Sequence, residues 1–372
     1  MRELYDIPRE VTYLNCAYVS PLLNSVARAV SEGLESERHP WSLTPDDFFD
    51  PPQRLRSLFA GLIGAEAEDI AIVPSASYGI ATAAANLPLA EGQSILMLQE
   101  EYPSNVYSWR RLAKQRGAEI VTVPRPASGD WTAAILKHLD ERVAIAALAQ
   151  NHWMDGALID LERVGEALRD QGAALAIDAS QSCGALPFDV KRIQPDFMIT
   201  CGYKWMHCPY SISFLYAAPG RQAGVPIEEN PMNREGGRQF ARLADYTERY
   251  GPGALRYDVG ERANFTLLPG AIAALEQLTE WGVEQIQSEL RAKTARVAEA
   301  GKALGLSVLP EALRAGHFLG LVFEDGVPEG TAQRLAEQKI FVSVRGNSVR
   351  VTPHLYNDDR DIERFIEALR KL

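Results

Sequence analysis

Two residues near the middle of the chain, Asp178 and Lys204, define the chemistry open to it. Asp178 ends the apolar run ALAID, and Lys204 follows a second apolar run, FMIT, through Cys201, Gly202 and Tyr203. Continuous runs of small and branched apolar residues between helical patterns read as strands buried on both faces. In open parallel sheets, ligands gather beyond the carboxyl ends of such strands. A carboxylate and an amine brought to one sheet edge have one demanding joint use. The amine forms a Schiff base with an aldehyde cofactor while the carboxylate keeps a pyridine nitrogen protonated, which is the chemistry of pyridoxal phosphate. For such a pair in isolation the alternative is a solvated Lys204 and an Asp178 that caps the following turn.

Three further groups have residue types suited to the same task. Ser75, Ala76 and Ser77 lie between the apolar run IAIV and a helical pattern that starts near Tyr78. Backbone amides and hydroxyls at a helix N-terminus form a phosphate cradle, although Pro-Ser-x-Ser alone is also simply a good helix start. Arg350 sits between Val349 and Val351, so period-two alternation puts it on the face away from the valines. There it is either a solvated edge residue or a two-pronged carboxylate clamp that lysine cannot copy. The ring of Tyr102 could pack in a core or stack on a flat ligand, the latter with energy on the order of 1 kcal/mol.

Longer stretches decide between these alternatives, because they resemble a known family. IDASQSCGALPFDV and TCGYKWMHCPYSISFLY are similar to the cofactor-anchoring segments of class V (cysteine desulfurase-like) aminotransferases, which are fold type I pyridoxal phosphate enzymes. YLNCAYVSPL, VPSASYGIATAA, EEYPSNVYSW and SVRGNSVRVTPHLYN follow in the family's order, so the resemblance covers nearly the whole chain. It implies Lys204 as the Schiff-base lysine and proton carrier, and Asp178 as the partner of the pyridine nitrogen. It further implies Gln181 at the cofactor's phenolic oxygen, Ser75, Ala76, Ser77 and Tyr203 at its phosphate, and Tyr102 stacked on its ring. Arg350, Trp153 and Asn15 are expected to touch substrate, Arg350 through the α-carboxylate. Asn105, His152 and Arg345 are nearby by motif position, and His152 could be only a packed histidine.

The sequence also departs from the family pattern. No cysteine lies between Ile340 and Arg350, where cysteine desulfurases carry their nucleophile, so persulfide-forming desulfuration is not expected. The motifs look closer to isopenicillin N epimerase-like and kynureninase-like members, although kynureninase's histidine at the Gln181 position is absent. Where the family has Gly-Thr to reach a neighbouring subunit's phosphate site, this chain has Gly260-Glu261-Arg262. Either Arg262 or Asn264 takes that role, or the dimer contact differs.

The elements that must position these residues follow from the pattern along the chain. Residues 1–23 form an arm that the resemblance puts at the active-site entrance. Residues 24–260 form a large domain in which strand and helix patterns alternate, predicting an α/β fold with a mostly parallel seven-stranded sheet. Residues 261–372 form a smaller α+β domain, with strands at SVL, HFLGLVF, IFVSV and SVRV. The tract 217–259, rich in Gly, Arg and Tyr, has no long apolar period and reads as a lid or interface.

Composition bounds the partners. A net charge of −11 argues against nucleic acid or an anionic membrane as the main partner. No apolar run approaches the roughly 20 residues that span a bilayer, and the first residues lack a secretory pattern, so a cytoplasmic location is expected. The four cysteines read as reduced thiols, and no metal is expected. The leading expectation is a homodimer, with active sites at the interface, that acts on a small amino acid and, as an aminotransferase, a keto acid. An epimerase, racemase or β-lyase would use the same residues, a non-catalytic binding protein would keep only the site, and a dehydrogenase lacks its G-x-G-x-x-G.

Overall fold

The apolar runs spaced along residues 70–217 become the strands of one sheet, at the centre of a computed structural model that describes all 372 residues. In chain order the strands are β1 (Thr12–Tyr13), β2 (Ile70–Val73), β3 (Ser94–Leu98), β4 (Glu119–Val123), β5 (Val143–Ala149), β6 (Ala174–Asp178), β7 (Phe197–Cys201), β8 (Ser213–Ala217), β9 (Leu319–Val322), β10 (Ile340–Phe341), β11 (Ser343–Arg345) and β12 (Ser348–Val351). The main sheet has the order β2-β8-β7-β6-β5-β3-β4, parallel except for β8. This is the α/β arrangement expected, with the expected seven strands. Every residue of β2, β3, β6, β7 and β8 is buried, as helices on both faces require.

Four helices of the first half are α1 (Asn24–Arg38), α2 (Asp50–Ile63), α3 (Ala76–Asn86) and α4 (Ser104–Arg116). α3 lies close on the sheet because its residues are small. A Cβ added at Gly79 would come within 2.8 Å of Ile199 on β7. α1 and α2 pack on the helix Leu268–Trp281. The parallel strands share one direction, so their carboxyl ends, and the connections that follow, gather along one edge.

The outer edge of β2 is closed by the end of the 217–259 tract, which otherwise holds only short 3₁₀ turns. Ile72 N donates to Asp258 Oδ1 at 2.7 Å and Val259 N donates to Ile72 O at 3.0 Å. Asp258 is fully buried between Arg56 and Arg262. An acid so placed satisfies the edge strand while two guanidinium groups offset its desolvation.

The second sheet, β11-β12-β9, is antiparallel, and β10 pairs in parallel with β1 of the N-terminal arm. The expected strand at SVL does not form. Ser307 makes only an isolated bridge to Val322, so this segment covers the end of β9 rather than extending the sheet. The final helix, Asp359–Leu369, is opened by Asp358 in a capping box with Asp361. We propose the division into arm, large domain and small domain, supported by the separation of the seven-stranded from the three-stranded sheet. Limited proteolysis that cut first within the seven-stranded unit would contradict it.

Three buried histidines tie the arm and the C-terminal part to the segment after Lys204. His207 Nδ1 lies 3.2 Å from Pro21 O, and His207 Nε2 lies 3.2 Å from His354 Nδ1. His317 Nε2 donates to Gln181 O at 2.7 Å. Burial lowers His207 and His317 to about 4 and holds His354 well below the ordinary histidine value. All three are therefore neutral when folded, and each takes up a proton on unfolding below an ordinary histidine value of about 6.5. Because the unfolded state binds more protons there, stability falls as pH drops, by roughly 1.4 kcal/mol per unit per histidine. We predict an unfolding midpoint in urea that falls steeply from pH 6.5 to 5. A flat profile across that range would show that the histidines are not held neutral.

Candidate active site

A cavity of about 150 Å³ opens at the carboxyl ends of the main sheet. Its walls come from the connections after β2, β3, β5, β6 and β7, and from the start of β8. Ser75, Ala76, Ser77, Tyr102, Trp153, Asp178, Gln181, Tyr203 and Lys204 all line it. Nine positions spread over 130 residues of sequence thus meet in one space. Arg350, Asn15 and Asn264 do not line it.

Lys204 is 6 % exposed and makes no ion pair. Its Nζ lies 5.5 Å from the centre of the Tyr102 ring and 5.7 Å from that of Tyr203. The arm holds its backbone: Cys16 Sγ lies 3.7 Å from Lys204 O, and Ser20 donates through both N and Oγ to Tyr203 O at 3.1 Å. Asp178, 8 % exposed, accepts from Ser180 N through Oδ1 at 2.9 Å. The lysine and the aspartate share the cavity without neutralising one another. Gln181 donates from Nε2 to Ala17 O at 3.2 Å, and its Oε1 accepts from Trp205 Nε1 at 3.3 Å. One amide hydrogen of Gln181 is left for a ligand.

The Ser75 hydroxyl caps α3 by accepting from Tyr78 N at 3.2 Å and lies 2.9 Å from Ser77 Oγ. The first amides of α3 and these hydroxyls face the cavity together. That arrangement favours a bound anion through both hydrogen bonds and the helix dipole. Tyr102 is 39 % exposed, so its ring is a wall of the cavity and not a core residue. Trp153 meets that ring edge-on at 5.5 Å and 76°, and donates from Nε1 to Glu100 O at 2.7 Å.

Trp153 also connects the cavity to Arg350, whose Nη1 donates to Trp153 O at 3.1 Å. Arg350 Nη2 lies 3.4 Å from Ser343 Oγ, and Ser343 in turn donates to Asn15 Oδ1 at 2.7 Å. Arg350 is 2 % exposed, with no carboxylate partner and an unpaired Nε. Burial, with Arg345 adding to it, lowers its guanidinium to about 9. A buried arginine left unpaired is costly unless an anion completes it. The alternation of Val349 and Val351 points those valines into the smaller core instead.

Two expected neighbours have other duties. His152 is fully buried, stacks on Trp131 at 5.3 Å and 7°, and is a packed histidine outside the cavity. Asn105 accepts from Trp109 Nε1 at 2.9 Å inside α4. Arg262 is committed within its own chain, to Asp258, Asn233 Oδ1 and Met232 O. It is 3 % exposed, so its guanidinium is held inside its own chain and away from the surface. Asn264 is exposed at the start of the helix Leu268–Trp281, where its Oδ1 accepts from Leu267 N at 2.8 Å and its Nδ2 is free.

Among the lining residues that the sequence did not single out, two carry unpaired polar atoms. Asn151 is 1 % exposed and neither its Oδ1 nor its Nδ2 has a partner. Glu101 is 8 % exposed and its Oε2 is unpaired. Their positions directly after β5 and β3 were the available signal. Unpaired buried polar atoms beside an unpaired amine, a carboxylate, an anion cradle and an aromatic wall fit a flat, phosphorylated aromatic aldehyde.

Comparison with known proteins agrees with this geometry. Residues 47–365 match the profile of the family described as Aminotransferase class-V. The chain is 23% identical over 99% of its length, and 96% of the relative's, to an uncharacterized aminotransferase, YcbU, of Bacillus subtilis. Isopenicillin N epimerases and a kynureninase are also among the matched relatives. An apo cysteine desulfurase from Thermococcus onnurineus superposes with a TM-score of 0.87 at 21% identity, covering 100% of this chain and 96% of that one. A C-DES variant with glycine covalently linked to its PLP cofactor gives 0.88 at 18% identity, with 99% and 98% covered. At these identities the two structures establish the shared fold. The profile match spans most of the chain, and it follows that this protein belongs to the class V aminotransferases, a family of pyridoxal phosphate-dependent enzymes.

Proposed function

We propose that the protein is an aminotransferase that acts on a small amino acid, with Lys204 as its catalytic lysine. The observation that carries this reading is the pairing of an unneutralised Lys204 with an unneutralised Arg350, joined through Trp153. When bound, pyridoxal phosphate supplies an aldehyde that a lysine amine can capture and a protonated ring that accepts the electrons of a broken Cα bond.

The chain's own residues do the rest. Ser75, Ser77, Tyr203 and the first amides of α3 hold the phosphate, and Tyr102 covers one face of the ring. Asp178 holds the proton on the ring nitrogen, for which a full carboxylate is needed. Arg350 orients the substrate carboxylate by a two-pronged contact, and Asn15 holds the serine that braces Arg350. Lys204 Nζ takes the proton from the substrate Cα and returns it, as a general base and then acid placed within the cavity. A second copy of the chain would bring Asn264, with its free Nδ2, to the rim. Sedimentation at a single chain mass, with the activity intact, would remove that part of the proposal.

Incubation of the cofactor-loaded protein with single amino acids and a keto acid tests the reaction. Amino transfer to the keto acid is the expected outcome. Deuterium exchange at Cα with inversion and no transfer would make it an epimerase, and keto-acid release without an acceptor would make it a β-lyase. No turnover by any route would reduce it to a binding protein. The linkage is checked separately: borohydride should bleach the yellow protein and add the cofactor mass at Lys204, and Lys204→Ala should abolish the added mass. Arg350→Lys should raise KM by roughly 10- to 100-fold, the loss of a charged hydrogen bond of about 1.5–3 kcal/mol, with a smaller change in kcat. An unchanged KM would show that Arg350 does not meet the substrate.

A further inference from the structure

Glu101 is the one carboxyl in the cavity that the mechanism above does not use. It follows β3 directly, and it shares the dipeptide Glu100-Glu101 with a residue of opposite fate. Glu100, with φ of 58°, turns outward to Arg125, whose Nε donates to it at 2.8 Å. That turn sends Glu101 inward. Its Oε1 accepts from Tyr102 N at 2.6 Å, and its Oε2 is sealed from solvent with only the uncharged Asn105 amide acting on it.

The groups around it explain what state it can hold. Asp178 faces it from the end of β6, Cys201, Tyr203 and Lys204 come from the connection after β7, and Tyr102 is on its own loop. Asn105, from α4, acts on it as an uncharged donor. Arg125, beyond Glu100, is already taken by Glu100 and Asp155. No cation pairs with Glu101. Burial raises its carboxyl to about 8, the Tyr102 amide and the Asn105 side chain opposing the rise and the Asp178 charge adding to it.

We propose that Glu101 is kept as a neutral carboxylic acid beside the cofactor. It thereby leaves Asp178 as the only anion of the protein beside the ring. Two ionised carboxylates in so small a buried space would repel one another, so one of them keeps a proton. In this arrangement Asp178 holds the ring proton by charge, and Glu101 is a positioning residue that sets how strongly the pocket holds it. Loss of the Glu101 proton above pH 8 adds a second negative charge and tightens the hold on any cation bound there.

This inference rests on the pyridoxal phosphate reading, and the experiment separates the two. Infrared spectra of the chain, with and without cofactor, should show the carbonyl stretch of a neutral carboxylic acid at pH 7. That band should vanish around pH 8 and be missing from Glu101→Gln. In Asp178→Asn its midpoint should fall, on the order of one pH unit, because a like charge has been removed. In the loaded wild type the visible absorbance should titrate with the same midpoint, and Glu101→Gln should bind the cofactor yet lack that titration. A loaded protein without the carboxyl band at pH 7, or a Glu101→Gln protein with the wild-type absorbance titration, overturns the proposal. Failure of the wild type to take up the cofactor at all would instead overturn the function on which it rests.

Discussion

The site depends on keeping unlike charges close together without letting them pair. Asp178 and Lys204 end up in one cavity because β6 and β7 are neighbouring parallel strands, and both side chains follow their carboxyl ends. Each is held by its own local partner, Asp178 by the Ser180 amide and the Lys204 backbone by Cys16 in the arm. Had the two formed an ion pair, the amine could not serve as a nucleophile and the carboxylate could not hold a ligand's proton. The rigid sheet keeps them apart, and the groups they leave unsatisfied are those that a ligand must satisfy.

The same logic extends outward. Arg350 is buried without a carboxylate, Asn151 has two unpaired polar atoms and Glu101 has one. Each would be destabilising in a protein whose site stayed empty, since an unpaired buried polar group costs about 1–3 kcal/mol. The cost is carried by well-packed parts of the fold. One such part is the Arg56–Asp258–Arg262 cluster, which closes the outer edge of β2 just before the Ser75–Ser77 cradle. The histidine cluster at His207 and His354 performs a similar service for the segment after Lys204. The arm takes part in both the site and its support, reaching Lys204 through Cys16 and Arg350 through Asn15 and Ser343.

Much of this was legible in the sequence because it depends on local pattern. The strands of the main sheet announce themselves as short apolar runs, and Asp178 and Lys204 stand at the ends of two of them. Ser75 caps α3, as its place before an alanine-rich stretch suggests. What stayed hidden depends on contacts between distant segments. The dipeptide Glu100-Glu101 gives no sign of which carboxyl faces solvent, since that is decided by Arg125, 25 residues on. Arg262 looked free to meet a neighbour, but Asp258 and Asn233 hold it inside its own chain. The SVL segment has strand-forming residues, yet it meets the free edge of β9 only at its end, through the single bridge of Ser307 to Val322.

The claim on which the account turns is that Asp178 keeps a proton on the ring nitrogen of the bound cofactor. Nitrogen NMR of the protein loaded with cofactor labelled at that atom reads this directly. A protonated ring nitrogen at neutral pH in the wild type, lost in Asp178→Asn, is the expected result. An unprotonated nitrogen in the wild type would contradict the account.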